Sequence, residues 1–161
     1  MTLTLPIMTL SAATLLSGAG LVLAFFPRIP AVIVSYAAML VAALSGLVVF
    51  SSAQLWFWGV ATLIAAAIGW MTHSPSRGAT AYYIVGGALV GALVGLVLST
   101  VAAVILASAA GAFLGLMAWS RTPAGRVAGT GGSLNLLASA GLPAVVNFSM
   151  VMLIFAQLLQ L

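Results

Sequence analysis

The chain lacks most of the residues on which soluble proteins and many enzymes depend. Its 161 residues include no Asp, no Glu, no Lys and no Cys, and four Arg give it a net charge of +4. Soluble domains carry roughly a quarter charged residues, so a charged fraction of 2% excludes a water-soluble monomer. The missing carboxylates exclude a catalytic acid pair and a carboxylate-ligated metal, and the missing Cys excludes a thiol nucleophile.

The other common catalytic and binding motifs are also incomplete. The only histidine, His73, lies in a polar loop, and metal sites need three or four ligands. A Ser/His/Asp triad lacks its acid, and the glycine-rich run at 129–132 has no Lys and follows no strand, unlike a nucleotide loop. Four Arg do not make a basic patch for nucleic acid. We therefore expect no enzymatic activity, no metal, no cofactor and no nucleic-acid partner.

Hydrophobic residues make up 65% of the chain, and the mean hydropathy is +1.35. A helix needs about 20 apolar residues to cross a membrane. Breaks in the hydrophobic pattern predict one transmembrane domain over residues 1–161, with spans at about 7–26, 31–50, 55–72, 81–98, 101–119 and 143–161. The predicted fold is all-α, an integral membrane bundle of about six transmembrane helices.

The break between the fourth and fifth segments is weak, since only Ser99 and Thr100 separate them. As one helix, residues 81–119 would be about 58 Å long, nearly twice the apolar thickness of a membrane. We expect a tight hairpin at the centre of the bundle, and one long helix is the alternative.

Six spans place all four arginines, Arg28, Arg77, Arg121 and Arg126, in loops on one side of the membrane. The positive-inside rule makes that side cytoplasmic and leaves both termini outside, with the arginines near lipid headgroups. Fusing segments four and five would separate Arg77 from Arg121. The short loops are typical of a bacterial inner membrane protein.

Small residues recur at every fourth position on segments four and five, which places them on one face of each helix. They are Gly87, Gly91 and Gly95, followed by Ala107, Gly111 and Gly115. In lipid, small residues allow helix backbones to approach closely. The two faces predict a glycine-zipper hairpin. Three uses are open: sealing a monomeric bundle, forming a homo-oligomer, or lining a path for a small solute.

Polar side chains in the spans are few: Ser11, Thr14, Ser17, Ser35, Ser45, Thr62, Ser108, Asn147, Ser149 and Gln157. Ser and Thr usually bond to their own helix or to a neighbour. Asn147 and Gln157 cost more to bury, so we expect each to have a partner in another helix, a second protein or a water-lined pore.

The order of these motifs resembles the bacterial membrane proteins grouped as domain of unknown function 456. The resemblance covers most of the chain and depends on Pro27 and Pro30, on Arg77 with Gly78, and on the glycine runs at 86–95, at 111–115 and before the last span. Members typically carry an acidic residue after the last zipper, where this chain has Leu116 and Met117. The family has no assigned activity, so the resemblance implies architecture alone.

No ionisable residue lies in a predicted span, so proton or sodium coupling through a buried carboxylate is excluded for this chain alone. The leading functional expectation is a non-catalytic packing protein, scaffold or accessory subunit. It would assemble laterally through small-residue helix faces, with lipid, a second copy or other membrane subunits as partners. The alternative is a small uncoupled facilitator or channel, with Gly87, Gly91, Gly95 and Asn147 along its pathway.

Overall fold

A computed structural model describes residues 4–26, 30–72, 78–98 and 100–159, apart from the side chains of 78–80, and these residues contain helices and no strand. The helices are α1 (Thr4–Leu23), α2 (Ala31–Leu44), α3 (Ser52–Met71), α4 (Gly78–Val97), α5 (Val101–Ser120), α6 (Pro123–Leu136) and α7 (Leu142–Leu158), with a π-helical turn at Leu137–Gly141. The predicted all-α fold is confirmed.

By length and composition, four helical segments in the described ranges can cross a membrane. They are α1, α3, α5 and the continuous stretch Pro123–Leu158, while Ala31–Leu44 and Ala81–Val97 are apolar but shorter. Large apolar side chains such as Leu15, Trp56 and Leu63 are exposed on the outer faces. Such faces suit contact with lipid, so the chain is a membrane-integral helical protein.

Hydroxyl caps explain how the chain turns within so few loop residues. The Thr100 side chain accepts a hydrogen bond from Ala103 N at 3.1 Å and begins α5 three residues after α4 ends at Val97. Ser51 and Gln54 form a reciprocal capping box at the start of α3. The hairpin predicted over residues 81–119 is confirmed, and the Thr100 cap begins its second helix.

The second predicted span is shorter than expected. Its helix was predicted over 31–50 but ends at Leu44, because Ser45 Oγ donates to Ala42 O at 2.6 Å and accepts from Leu47 N at 3.2 Å. Gly46 then adopts a φ of 69°, in the left-handed region that favours glycine. With 14 residues, α2 is about 21 Å long.

The glycine-rich stretch between the fifth and sixth predicted spans is helical along most of its length. Thr122 caps α6 by accepting from Gly125 N at 3.2 Å, and Pro123 follows in the first turn. A kink at Gly129, with φ 64° and ψ −166°, interrupts this helix. The last span was predicted over 143–161; α7 covers Leu142–Leu158, and residues 160–161 lie outside the described part of the chain.

Helix α7 occupies the centre of the bundle. Every residue from 146 to 154 is buried, and the helix packs against α1, α2, α3, α4 and α5. One side contributes Met150 and Ile154 to a core with α1, α2 and α3, and the other contributes Phe148 and Met152 to a core with α4 and α5. The α4–α5 hairpin, predicted at the centre, therefore lies on one side of α7.

Candidate functional site

The small residues of α4 and α5 face each other within one chain. A Cβ added at Gly87 would meet the carbonyl oxygen of Gly111, and one added at Gly91 would meet that of Ala107. Added Cβ atoms at Gly95 and Gly115 would likewise meet the backbone of Val104 and of Tyr83, respectively. Ser108 Oγ donates across this interface to Ala88 O at 3.0 Å. All six residues of the predicted zipper thus lie at one backbone-to-backbone contact.

This contact corrects one feature of the predicted facilitator. A pathway lined by Gly87, Gly91 and Gly95 is wrong, because the α5 backbone occupies the space beside them. The same occupancy keeps this face from a second copy of the chain. The interpretation in which these glycines seal the bundle fits the contacts best.

A buried polar cluster joins α1, α2 and α7 at Asn147. Its Nδ2 donates to Gly20 O of α1 at 3.1 Å, and its Oδ1 accepts from Ser35 Oγ of α2 at 2.6 Å. The Asn147 side chain is 1% exposed and Ser35 is fully buried. Gly20 permits the approach, since a Cβ there would collide with Ser35 Oγ. Asn147 therefore has a partner in other helices, as its burial cost predicts.

The orientation of the Asn147 amide follows from its partners. The Gly20 carbonyl can only accept, so the amide nitrogen must face it. An amide has two N–H donors and two lone pairs on its oxygen. After the bonds to Gly20 and Ser35, Asn147 keeps one N–H and one lone pair.

Asn147 is one of the residues that line a half-open cavity of about 330 Å³. Its walls come from the C-terminal ends of α1 and α3 and the N-terminal ends of α2 and α4, and small side chains at Ala31, Ala66 and Ala81 leave it wide. Exposed Phe26 and Trp70 lie at its rim. Most of its lining side chains are apolar, and Asn147 and Ser139 are polar.

The π-helical turn forms the wall beside Asn147. Ser139, Ala140, Pro143 and Ala144 line the cavity, and Leu142 N donates to Leu137 O across the wide turn. Pro143 has no N–H, so it cannot donate to a carbonyl of the preceding turn. Such π-helical insertions in α-helices occur frequently at functional sites.

The cavity lies near the end of the bundle that carries Arg121. Tyr83, near the start of α4, contacts Gly115, near the end of α5, so the C-terminus of α5 lies at the same end as Ala81 of the cavity wall. Arg121 caps α5, and Arg126 lies on α6, both exposed. Arg28 and Arg77 lie outside the described residues.

The remaining polar residues have local roles. Ser11 and Thr14 donate to the carbonyls four residues earlier, at 2.9 Å each. Thr62 Oγ1 points at Met150 Sδ, 3.6 Å away, and joins α3 to α7. Gln157 is half-buried on the last turns of α7, away from the Asn147 cluster. The buried Ser149 Oγ has no hydrogen-bond partner in the described part of the chain.

Sequence reasoning missed part of this site. It singled out Asn147 and named Ser35 as polar, but it did not pair them or include Gly20, Ser139 and Pro143. The proline only three residues after Ala140 was the available signal for a distorted turn. His73 lies outside the described residues, which contain no group of three metal-binding side chains. No family model, curated protein or solved structure matches the chain.

Proposed function

We propose that this chain is a non-catalytic membrane scaffold that assembles laterally, with a second copy as its partner. The observation that carries the proposal is the lipid-facing side of α1. Ser11, Leu15, Gly18 and Val22 follow the spacing of one helix face, and no atom lies within 4 Å of a Cβ added at Gly18. Since the glycines of the zipper in α4 and α5 pack on each other, α1 offers an open small-residue face.

This face suits self-association for two reasons. Ser11 and Gly18 are small, whereas Leu15 and Val22 are 76% and 60% exposed, so ridges alternate with gaps. Copies inserted with the same topology keep their α1 helices parallel, and equal residues then meet across a two-fold axis. The absence of acids and Cys from the sequence supports the non-catalytic part.

Native mass spectrometry of protein extracted in mild detergent tests the proposal. We expect a dimer for the native chain and a monomer for Gly18→Leu, because Leu would fill the gap on α1. Gly86→Leu is the matched control, since Gly86 also has open space around it but lies on α4. A monomeric native chain, or equal assembly of both variants, would overturn the proposal.

The cavity favours a second candidate, an uncoupled facilitator for a small solute. Beyond Asn147 along α7, Phe148, Met150 and Ile154 are fully buried in the bundle, so passage would require α7 to move. Liposomes holding only this protein test it: solute flux supports a facilitator, and the scaffold alone predicts none.

The remaining parts of the proposal concern location and ancestry. We place the chain in a bacterial inner membrane with its arginine-bearing end in the cytoplasm, supported by the positive-inside rule. The six-span topology and kinship with the domain of unknown function 456 proteins belong to the same proposal, with the glycine motifs of α4 and α5 as their support.

A further inference from the structure

We infer that α6, together with Arg121 just before it, is a docking surface for the anionic headgroups of the lipid bilayer. The guanidinium groups of Arg121 and Arg126 bind lipid phosphates, and the exposed apolar side chains of α6 contact the boundary between headgroups and acyl chains. The inference goes beyond the scaffold proposal, because it requires neither self-association nor the open face of α1.

Both ends of α6 lie at the same end of the bundle. Before α6, a Cβ added at Gly115 near the end of α5 would meet the carbonyl oxygen of Tyr83. After α6, a Cβ added at Gly141 would lie 3.3 Å from Cγ2 of Ile84, the next residue of α4. The 14 residues of α6 therefore begin and end near the start of α4 without crossing the bundle, and the kink at Gly129 lets them bend.

This end of the bundle carries aromatic side chains of the kind found at a membrane surface. Tyr82 and Tyr83, near the start of α4, are exposed, as is Trp70 near the end of α3. Trp70 lines the same cavity as Ala81, so it belongs to this end. Tyr and Trp are enriched where headgroups meet the apolar layer of a membrane. The start of α4, and with it both ends of α6, therefore lies at the level of the headgroups.

The positive charge of this surface has no acidic counterpart in the chain. Arg121 and Arg126 are both exposed, and the 161 residues include no Asp and no Glu. No acidic side chain of the protein can therefore neutralise the two guanidinium groups. A guanidinium binds phosphate oxygens through paired N–H donors, and an anionic leaflet attracts basic segments beside it. Anionic lipids thus supply the charge that the chain lacks.

Helix α6 also exposes large apolar side chains beside its arginine. Val127 is 89% exposed and Leu134 is 68% exposed. Gly125 lies against Trp119 of α5, and Val127, two positions further on, points away from that contact. Basic and apolar side chains together are typical of helices that lie at a membrane surface. A bilayer satisfies both parts of this surface at once, the arginines with phosphates and Val127 with apolar groups.

Lipid retention measured by native mass spectrometry tests the inference. The full chain in a neutral detergent is incubated with equal amounts of dioleoylphosphatidylglycerol and dioleoylphosphatidylcholine. We expect preferential retention of phosphatidylglycerol, and we expect this preference to fall about fivefold for each of Arg121→Gln and Arg126→Gln. Because both arginines are exposed, these substitutions leave the packed core unchanged. The matched control, Arg28→Gln with Arg77→Gln, removes the same charge elsewhere in the sequence and should lower the preference by less.

A single thiol on α6 measures its contact with lipid directly. Val127→Cys, labelled with nitrobenzoxadiazole, is placed in vesicles that contain doxyl-labelled phosphatidylcholine as a quencher. We expect stronger quenching in vesicles of equal parts phosphatidylglycerol and phosphatidylcholine than in phosphatidylcholine alone. Adding Arg121→Gln and Arg126→Gln should remove the difference. Gly86→Cys, at an open position on α4, is the control and should be quenched equally in both.

Three outcomes would overturn the inference. The first is equal retention of the two lipids by the native chain. The second is an equal loss of preference in the two double variants, which would reduce the effect to net charge. The third is a label at position 127 that stays in water in both kinds of vesicle, which would leave α6 free for a soluble acidic partner.

Discussion

At the scale of single residues, the glycines of α4 differ in what lies beside them. Gly91 lies against the carbonyl of Ala107, whereas Gly86, on the same helix, has open space beside it. The sequence predicted a packing face from the spacing of Gly87, Gly91 and Gly95, but spacing does not say which surface covers that face. The answer depends on the partner helix, and the structure places α5 there.

Gly91→Leu should therefore destabilise the folded chain. We expect a loss of about 2 kcal/mol, typical of overpacking, because the side chain must push α4 and α5 apart. Unfolding in a denaturing detergent titration measures it, with Gly86→Leu as the control. Equal stability of the two variants would show that the α4–α5 contact is looser than described.

Asn147 and Ser35 should be energetically coupled. Removing either partner leaves a buried polar group unpaired, and membrane hydrogen bonds are worth about 0.6–1.7 kcal/mol. A double-mutant cycle with Asn147→Leu and Ser35→Ala should give a coupling of about 1 kcal/mol. Additive effects of the two substitutions would contradict the bond.

At the scale of elements, local signals predicted some boundaries and missed others. Thr100 separates α4 from α5 as a polar break and a helix cap, so hydropathy and capping agree there. In α6 hydropathy and capping disagree. The segment is rich in Gly, Ser and Thr, yet Thr122 and Pro123 start a helix there. The end of α2 was missed because its stop signal, Ser45 with Gly46, lies inside an apolar run.

Gly46 provides the test of the α2 boundary. Gly46→Ala should destabilise the chain by about 1 kcal/mol, because Ala is disfavoured at positive φ. No neighbouring atom would clash with the added methyl group, so the loss would come from the backbone conformation alone. Gly131→Ala, at another open glycine, should not destabilise it. Thermal unfolding in detergent compares them, and equal losses would argue against a left-handed Gly46.

At the scale of the whole molecule, the order of helices brings the cavity rim and Arg121 to one end. The sequence predicted that six spans would collect the arginines there from loop positions alone. It did not predict α7 as the buried centre, because a hydrophobic span gives no indication of how many neighbours surround it. Nor could it predict the cavity, which arises where small residues of four separate helices converge.

The orientation of the bundle in the membrane is open to direct measurement. Reporter fusions after Arg28, Arg77 and Arg121 should all report the cytoplasm, as the positive-inside rule predicts. Fusions that place Arg77 and Arg121 on opposite sides would contradict the six-span topology.

Disulfide cross-linking in native membranes tests the central claim, lateral self-association through α1, most directly. The chain has no Cys, so a single Cys at 11, 15, 18 or 22 is its only thiol. We predict an oxidised species at twice the 16.2 kDa chain mass for this face and none for Gly86→Cys. Failure of all four positions to cross-link, although each reacts with a small maleimide, would contradict the account.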